Sequence, residues 1–482
     1  MNTQDTLNGI SYTREHLNGE EKNPPMKRRR FIRWSWLGAV AAALVLIMLW
    51  GILRKPDNVP TPFDSAFAPY AIAKAEYPQM VQYPTDEDNE AAIDAWIDSS
   101  MAQHRDMGDI SSMKPFFKRS TEIILRGDDG ENPIYSPLNF YMLLSSLAQI
   151  TDGKSREQVL ELLGSESMEE LREQVNHVWK SCSRNDGAAT CVLANSLWLD
   201  NDVKPNQETM DILAKDFYAS SYQGEMGSKQ LNEELQNWLN EQTGGLLEEQ
   251  AGDINLNADC KLAFASTLYF KARWYFPEED TAVQTFHTPN GDIETEFMCS
   301  EDAEQFYWGK KFTAVNRSFY MGGGSMWFIL PDEKYTPKDL LSDKEALDFM
   351  FTADKKDWEN QEYRFVNKVI PKFDVSSKLD LADNLKQMGV KDVFNRGRAN
   401  FSSMLNDANN SLALGDIEQA NRVIIDEKGC EAASFGDYLI FEVGPGKSEI
   451  IQFVLDRPFI FCITGMNGLP LFVGIVNCPI GK

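Results

Sequence analysis

The sequence predicts an α+β fold for most of the chain, and three observations lead to that class. Helical periodicity dominates the first half of the main body, whereas short runs typical of strands dominate the second half. Strands and helices do not alternate regularly, which argues against a parallel α/β sheet. Of the 482 residues, 43% are hydrophobic and 11% are aromatic, which is enough to build a core around large sheets.

The charge balance and the polar residue types exclude several classes of function. The chain has 47 Lys and Arg against 73 Asp and Glu, a net charge of −26, so no nucleic-acid partner is expected. The seven cysteines form no CxxC pair, and no HExxH motif occurs. We expect no metal site, because the four histidines are far apart in the sequence: His16, His104, His177 and His287.

The first predicted element is an uncharged apolar run at residues 34–53. Twenty helical residues at about 1.5 Å each span the roughly 30 Å of a bilayer's hydrocarbon core. Five basic residues precede the run within 27–33, and only two follow it. This asymmetry predicts a basic cytoplasmic tail at 1–33, a single-pass signal anchor at 34–53 in the cell membrane, and an extracellular remainder.

A cleavable signal peptide is the alternative to the anchor. Such a peptide has an apolar region of about 7–15 residues, followed by small residues at the cut site. Here the run is longer, and Arg54-Lys55-Pro56 follows it. The uncleaved anchor is therefore favoured.

Residues 54–109 are predicted to form an extracellular spacer. Six prolines between 56 and 84 favour an extended chain, and a helix-like stretch follows from Asp86 to about Met107. The remaining residues, 110–482, are interpreted as one domain, since no proline-rich or low-complexity break interrupts them after residue 115.

Within this body, helices come first and strands later. Ser155 is expected to cap a helix that ends at Gly164, and apolar residues at helical spacing predict a second helix before Gly244-Gly245. Strands are predicted at 262–270, 326–330, 364–375, 422–425, 450–455, 459–463 and 471–476.

Enzyme motifs are missing from the sequence. Neither GxSxG nor GxGxxG occurs, and carboxylates are plentiful without any motif that marks out a catalytic pair. Gly446-Lys447-Ser448 looks like the end of a phosphate-binding loop, but Phe441 stands where that loop needs a glycine. We therefore expect no catalytic residues and no enzyme activity.

A series of short motifs resembles the serpins, a family of serine protease inhibitors, in serpin order across about residues 110–482. The early ones are Asn-Pro-Ile-Tyr-Ser-Pro-Leu at 132–138, Asn-Ser-Leu-Trp at 195–198 and Leu-Tyr-Phe-Lys-Ala-Arg-Trp at 268–274. The later ones are Pro-Lys-Phe at 371–373, Asp-Glu-Lys-Gly-Cys-Glu-Ala-Ala at 426–433 and Asp-Arg-Pro-Phe-Ile-Phe at 456–461. The predicted anchor and spacer lie outside the resemblance.

The resemblance implies a serpin-like fold with three β-sheets, a surrounding helix bundle and an exposed reactive loop. A target serine protease attacks the loop and forms an acyl-enzyme, and the cut loop then inserts as a strand into the central sheet. No cofactor is implied, the only partners are the protease and the membrane, and we expect a monomer.

The hinge of the predicted loop comprises Glu427, Gly429, Cys430, Glu431, Ala432, Ala433, Ser434 and Gly436. From Cys430, every second residue is small, so one face of an inserted strand would slide past the sheet without a clash. The other face carries Glu431, Ala433, Phe435 and Asp437. Cys430 itself departs from the Thr or Ser that is common in the family.

Three further positions carry family roles by resemblance. Trp274 corresponds to the breach, where the loop enters the sheet, and Ser136 and Gln419 correspond to the shutter beneath it. Gln419 stands where the family usually has His, so this position cannot titrate near neutral pH. Ser266 replaces an Asn that is common in the family.

The reactive bond is predicted at Val443-Gly444, because counting forward from Gly429 by the family's usual hinge length ends at Val443. Val443 suits an elastase-like protease. Counting back from Pro458 gives Lys447-Ser448 instead, which suits a trypsin-like protease.

Two functions therefore stay open. One is an extracellular, membrane-anchored suicide inhibitor of serine proteases. The other is a non-inhibitory serpin that acts as a cell-surface binding protein or a plain protease substrate, for which Gln419, Phe435 and the long loop leave room. The short cytoplasmic tail fits a bacterial cell surface.

Overall fold

The computed structural model describes residues 70–77, 80–84, 89–104, 110–126, 131–252, 254–277, 280–352, 355–406, 412–430 and 450–480. Within them, the helices are α1 (Glu90–His104), α2 (Lys114–Ile124), α3 (Pro137–Ile150), α4 (Gly153–Leu163), α5 (Met168–Cys182), α6 (Gln207–Asp216), α7 (Lys229–Gln242), α8 (Glu248–Ala251), α9 (Pro337–Leu341), α10 (Lys344–Met350) and α11 (Ala382–Gln387).

The strands of the same regions fall into two hydrogen-bonded networks. Those of the first half are β1 (Ala71–Ala73), β2 (Ile134–Tyr135), β3 (Arg184–Asn185), β4 (Ala189–Asp200), β5 (Ala219–Gly224), β6 (Leu262–Arg273), β7 (Thr281–Thr288) and β8 (Gly291–Trp308). The later ones are β9 (Phe312–Ser318), β10 (Ser325–Pro331), β11 (Gln361–Pro371), β12 (Phe373–Asp380), β13 (Ile417–Ile425), β14 (Gly429–Cys430), β15 (Ile451–Val454), β16 (Phe459–Thr464) and β17 (Pro470–Val476).

The first network has the strand order β1-β5-β4-β6-β14-β13-β12, with β3 paired to β4. We call it the central sheet. β4 and β6 are antiparallel and pair along their whole length, from Ala189 opposite Ala272 to Leu199 opposite Leu262. The amino end of β4 and the carboxyl end of β6 therefore lie at one end of the sheet, the hinge end, where β14 is also found.

The second network has the order β15-β11-β8-β9-β10-β16-β17-β2, with β7 paired to β8. The long strand β8 joins the two smaller sheets that the resemblance implied. It pairs with β11 over most of its length, and its last residues, Tyr307 and Trp308, pair with β9. The mixed α+β architecture with several β-sheets is confirmed.

Helix α3 lies in the core, and all fourteen of its residues are buried. A mainly apolar helix with no polar face is stable only inside the protein. Its serines are tolerated there because each bonds back to its own helix; Ser145, for example, donates to the carbonyl of Tyr141 at 2.8 Å. The amino end of α3 therefore reaches the central sheet from inside, beneath β6 and β13.

Helix α7 lies on the opposite face of the central sheet. Its apolar residues, predicted at helical spacing, pack in a second cluster with Trp198 of β4, Tyr222 of β5 and Ala420 of β13. One amphipathic helix thus covers strands on both sides of the β6–β13 boundary.

Two local predictions were wrong. Ser155 does not cap α4, because Asp152 does, by accepting a hydrogen bond from the Gly153 amide at 2.8 Å. The Ser155 hydroxyl instead accepts from the Asn400 amide at 3.1 Å. The predicted strand at 364–375 is two strands in different sheets, β11 and β12, separated at Lys372. By contrast, Gly164 ends α4 with φ +72°, as predicted.

Part of the predicted spacer packs on the body. Residues 70–77 run along the edge of the central sheet, and α1 falls within the predicted helix-like stretch. The predicted tail, 1–33, and anchor, 34–53, lie outside the described residues. In the part of the chain that the structure describes, no helix has the length and apolar character needed to cross a bilayer.

Candidate functional site: a seam in the central sheet

β6 and β13 are parallel neighbours in the central sheet, but they pair over four residue pairs only. The pairs run from Phe264 opposite Ile417 to Thr267 opposite Ala420. Nearer the hinge end, the described residues 268–271 of β6 and 421–424 of β13 are not paired with each other. We call this unpaired boundary the seam. One edge of each strand is therefore left without a ladder partner along it.

The first two residues of a further strand already occupy the hinge end of the seam. Gly429 and Cys430 form β14, which pairs antiparallel with Arg273 and Ala272 of β6. On its other side, Cys430 pairs with Ile425 of β13. Cys430 is 2% exposed, and its sulfur lies 3.8 Å from the carbonyl oxygen of Phe270. Its side chain is buried, as expected for the face that would enter the sheet.

A tight turn brings the chain from β13 into β14. The Asp426 carboxylate accepts from the amides of Lys428 at 2.8 Å and Gly429 at 3.0 Å. A Cβ atom at Gly429 would lie 2.3 Å from the carbonyl oxygen of Ala272, so only glycine fits this close approach. The hinge glycine is therefore required by packing against β6.

Trp274 holds this turn against the end of β6. Its ring nitrogen donates to the carbonyl of Asp426 at 2.9 Å, and its amide donates to the carbonyl of Lys428 at 2.8 Å. The ring is fully buried and stacks on Phe319, with centroids 4.6 Å apart. The guanidinium of Arg317 covers it at 4.4 Å. Trp274 thus lies at the entrance of the seam.

An ion pair ties the hinge to the second network. The ammonium of Lys372 lies 2.8 Å from the Glu427 carboxylate and 3.2 Å from that of Glu296 on β8. The hydrogen bond from Lys372 lowers the pKa of the Glu427 carboxyl group. The predicted hinge residue Glu427 therefore helps to hold the hinge, as it stands in this structure, against the second network.

At the other end of the seam, the amino end of α3 holds β13. The Gln419 side chain is buried and accepts a hydrogen bond from the Ser136 amide at 2.8 Å. Asn421 donates to the carbonyl of Ile134 at 3.1 Å. Ser136 and Gln419, both predicted shutter residues, are therefore in direct contact.

Sequence reasoning missed the residues that hold β6. The Asn139 amide donates to the Ser266 hydroxyl at 2.8 Å and to the Thr267 carbonyl at 2.6 Å. Its oxygen accepts from Asn195 of β4 at 3.0 Å. The available signal was an amide side chain near the start of a mainly apolar helix, because a buried amide must find partners.

Glu418 lies on β13 beside the β6 pairing region. It is directly opposite Asp380 of β12 and Ala265 of β6. Burial raises the pKa of Glu418 to about 7, and the nearby carboxylates of Asp380 and Asp416 add to the rise, while Lys378 opposes it.

The remaining predicted loop residues lie outside the described residues: Glu431, Ala432, Ala433, Ser434, Gly436, Val443, Gly444, Lys447 and Ser448. Among the described residues, no group of three or more His, Cys, Asp or Glu side chains could hold a metal ion. All seven cysteines are free thiols.

The architecture is that of a sheet with one incompletely paired boundary, into which the first residues of a following segment already project. The family model for serpins, described as serine protease inhibitors, matches residues 118–479. The chain belongs to the serpin family.

Two relatives, one named as a serpin and one as serpin-like, agree with that assignment. The chain is 28% identical to Serpin-ZX of Arabidopsis thaliana over 378 residues, which cover 74% of this chain and 95% of the relative. It is 27% identical to an uncharacterized serpin-like protein of Methanosarcina acetivorans over 394 residues, 77% of this chain and 86% of the relative.

Solved serpin structures share the fold. The native state of tengpin, a thermophilic serpin, superposes with a TM-score of 0.69 at 21% identity, covering 84% of this chain and 97% of tengpin. The native stressed conformation of AtSerpin1 from Arabidopsis gives a TM-score of 0.66 at 23% identity, covering 77% and 99%.

Proposed function

We propose that this chain is a membrane-anchored extracellular inhibitor that traps serine proteases by inserting its cleaved reactive loop into the seam. The protease's serine attacks the carbonyl of the reactive bond, and the amine of the following residue leaves. The protease then stays joined to the loop by an ester. Insertion of the loop moves the protease before water can hydrolyse that ester. No catalytic group or cofactor of the inhibitor takes part, so we expect no enzyme activity.

The observation that carries the proposal is the position of Cys430 at the mouth of the seam. Cys430 itself is already in ladder register with both neighbouring strands. If that register continued, Ala432 would lie between Phe270 and Val423, and Ser434 would lie between Leu268 and Asn421. Each new backbone hydrogen bond contributes about 0.5–1.5 kcal/mol to stability. A strand that is hydrogen-bonded along both edges would therefore strongly stabilise the inserted form of the sheet.

The same register identifies what must break during insertion. Gly436 would lie between Ser266 and Gln419, which are now direct neighbours in the sheet. Insertion therefore has to separate the four paired residues of β6 and β13 below the seam. The contacts of Ser136 and Asn139 with these strands oppose that separation.

The membrane anchor and the extracellular location rest on residues 34–53 and the basic residues before them. Val443-Gly444 is the preferred reactive bond, and an elastase-like protease is the preferred target.

The test is a mixture of the full-length chain, kept in detergent, with elastase-like and trypsin-like serine proteases. A covalent complex that survives denaturing electrophoresis is the expected result. The mass of the released C-terminal peptide distinguishes cleavage at Val443-Gly444 from cleavage at Lys447-Ser448. Loop cleavage that leaves every protease active would overturn the proposal and support the non-inhibitory alternative.

A matched pair of variants tests insertion itself. Ala432→Arg places a charge on the face that enters the sheet, and it should turn the inhibitor into a substrate. Ala433→Arg places the same charge on the opposite face and should leave trapping intact. Equal loss in both variants would contradict strand insertion.

A further inference from the structure

Residues 70–77 and 80–84 form a segment that lies outside the serpin match yet packs against the central sheet; we call it the brace. Its strand β1 pairs antiparallel with β5, with Ala71 opposite Tyr222 and Ala73 opposite Ser221. The Gln223 amide also donates to the carbonyl of Tyr70 at 2.8 Å. The brace therefore covers the edge of the central sheet on the β5 side.

Beyond β1, the brace crosses onto two helices. The amide of Ala75 donates to the Ser220 hydroxyl at 3.1 Å, and that of Glu76 donates to the carbonyl of Ala214 in α6 at 2.9 Å. The ring of Tyr77 then stacks on Trp179 of α5, with centroids 5.2 Å apart. The brace thus joins the sheet edge to α5 and α6.

The brace continues to the hinge end of the sheet. Gln82 donates to the carbonyl of Asn185 at 3.0 Å, and the Tyr83 amide donates to the carbonyl of Asp186 at 2.6 Å. Asn185 is the last residue of β3, and Asp186 begins the turn before β4, which starts opposite Ala272. The Tyr83 ring meets Trp96 of α1 edge-on at 5.1 Å. The brace therefore spans the sheet from the carboxyl end of β5 to the amino end of β4.

This path matters because the seam cannot open unless one side of the sheet moves. β6 is paired with β4 over eleven residue pairs, and β4 with β5 over six, so these three strands form one continuous unit. Only four pairs join that unit to β13. In the proposed mechanism, opening separates β6 from β13 at these four pairs, which requires the three-strand unit to move relative to the helices beside it.

We infer that the brace restrains this movement by fastening the β6-β4-β5 unit to α5 and α6, and so sets the rate at which the seam admits a strand. The inference rests on the proposed function. The restraint comes from residues that precede the serpin match, so it is a property of this chain's own extension. Loosening the brace accelerates strand entry, and locking it slows strand entry.

The test measures uptake of a synthetic peptide with the sequence of residues 430–441 by the full-length, uncleaved chain. Labelled peptide that stays with the protein on native gels gives the rate. Tyr77→Ala removes the stack on Trp179 and should raise the rate roughly two- to tenfold, the range expected for one aromatic pair. Val81→Ala, at an exposed position of the same segment, is the control and should not change it.

A second variant locks the brace. Ala73 and Ser221 are opposite each other in an antiparallel ladder, where the spacing is within reach of a disulfide. Ala73→Cys combined with Ser221→Cys, with the bond verified by mass, should slow uptake, and reduction should restore it. This result does not depend on whether the Tyr77 variant folds.

The outcomes separate the two proposals. Peptide uptake at the same rate in the wild type and the locked variant overturns the brace alone. A wild type that takes up no peptide overturns strand insertion, and the brace with it.

Discussion

Ser136 and Asn139, three residues apart at the amino end of α3, hold the two strands that border the seam. The Ser136 amide donates to Gln419 of β13, and the Asn139 amide group donates to Ser266 and Thr267 of β6. Ser136 also caps the helix by accepting from the Asn139 amide at 3.2 Å. One helix end therefore fixes the distance between strands that the proposed mechanism must separate.

Asn139→Ala should destabilise the uncleaved protein by about 2–4 kcal/mol, because it leaves buried partners in β4 and β6 without their hydrogen bonds. Urea unfolding followed by circular dichroism measures the change. Ser146→Ala on the same helix is the matched control, since its hydroxyl donates to the carbonyl of Met142 within that helix. Similar losses in both variants would contradict the special role of Asn139.

Glu427→Gln should destabilise the closed hinge at neutral pH by at most about 1 kcal/mol, as is usual for a partly exposed ion pair. The pKa of Glu427 is lowered in the folded state, so its contribution is present above the unfolded pKa near 4.5 and is lost as pH falls through the folded value. Wild type and variant should therefore converge in acid. Thermal unfolding between pH 3 and pH 8 checks this, and a constant difference would contradict it.

For Glu418→Gln, the difference in stability from wild type should depend on pH in the sense opposite to that of Glu427→Gln. The pKa of Glu418 is raised from 4.5 to about 7, so its protonated form stabilises the fold below pH 4.5, and that stabilisation is lost as pH rises through 7. The variant should be more stable than wild type at pH 8 and similar at pH 4. Thermal unfolding at both values measures this, with Glu362→Gln as an exposed control.

The same substitution should affect trapping. Continued strand register places Asp437 beside Glu418, which already faces Asp380. Like charges opposite each other oppose pairing, so Glu418→Gln should raise the fraction of protease trapped at pH 8. Gel quantification of the covalent complex gives that fraction, and an unchanged fraction would argue that insertion stops before Asp437.

Gly429→Ala should displace the hinge, because its Cβ would lie 2.3 Å from the carbonyl oxygen of Ala272. We expect a loss of about 1–3 kcal/mol in the free energy of unfolding and faster alkylation of the Cys430 thiol, which is buried in the wild type. Intact-mass analysis after iodoacetamide treatment measures the labelling. Gly397→Ala, in an exposed loop, is the control; protection of Cys430 in both would contradict the packing argument.

The sequence predicted the fold class and the family because motifs such as those at 268–274 and 426–433 combine local pattern with fixed order. It failed at two places. The helix starting near Ser155 is capped by Asp152, a favoured N-cap residue three positions earlier, so the local signal was present but assigned to the wrong residue. Residues 364–375 divide between two sheets at Lys372, which tertiary contacts decide.

The polar contacts beneath the seam were predicted only in part. Ser136 and Gln419 followed from the resemblance. Asn139 and Asn195 are hydrogen-bonded to each other but lie 56 residues apart in the sequence, so no local pattern links them. The prolines of the spacer predict an extended, poorly packed chain. Residues 71–73 form a strand that pairs with β5, and composition alone does not reveal such a pairing.

The brace begins at one pole of the central sheet. Tyr70 lies beside Gln223, at the pole of the central sheet opposite Gly429. The proposed insertion from Cys430 would proceed toward that same pole. In the proposed mechanism, a captured protease would therefore be carried from the hinge end of the central sheet to the end at which the brace begins, so the trapped enzyme and Tyr70 would lie at the same pole of the sheet.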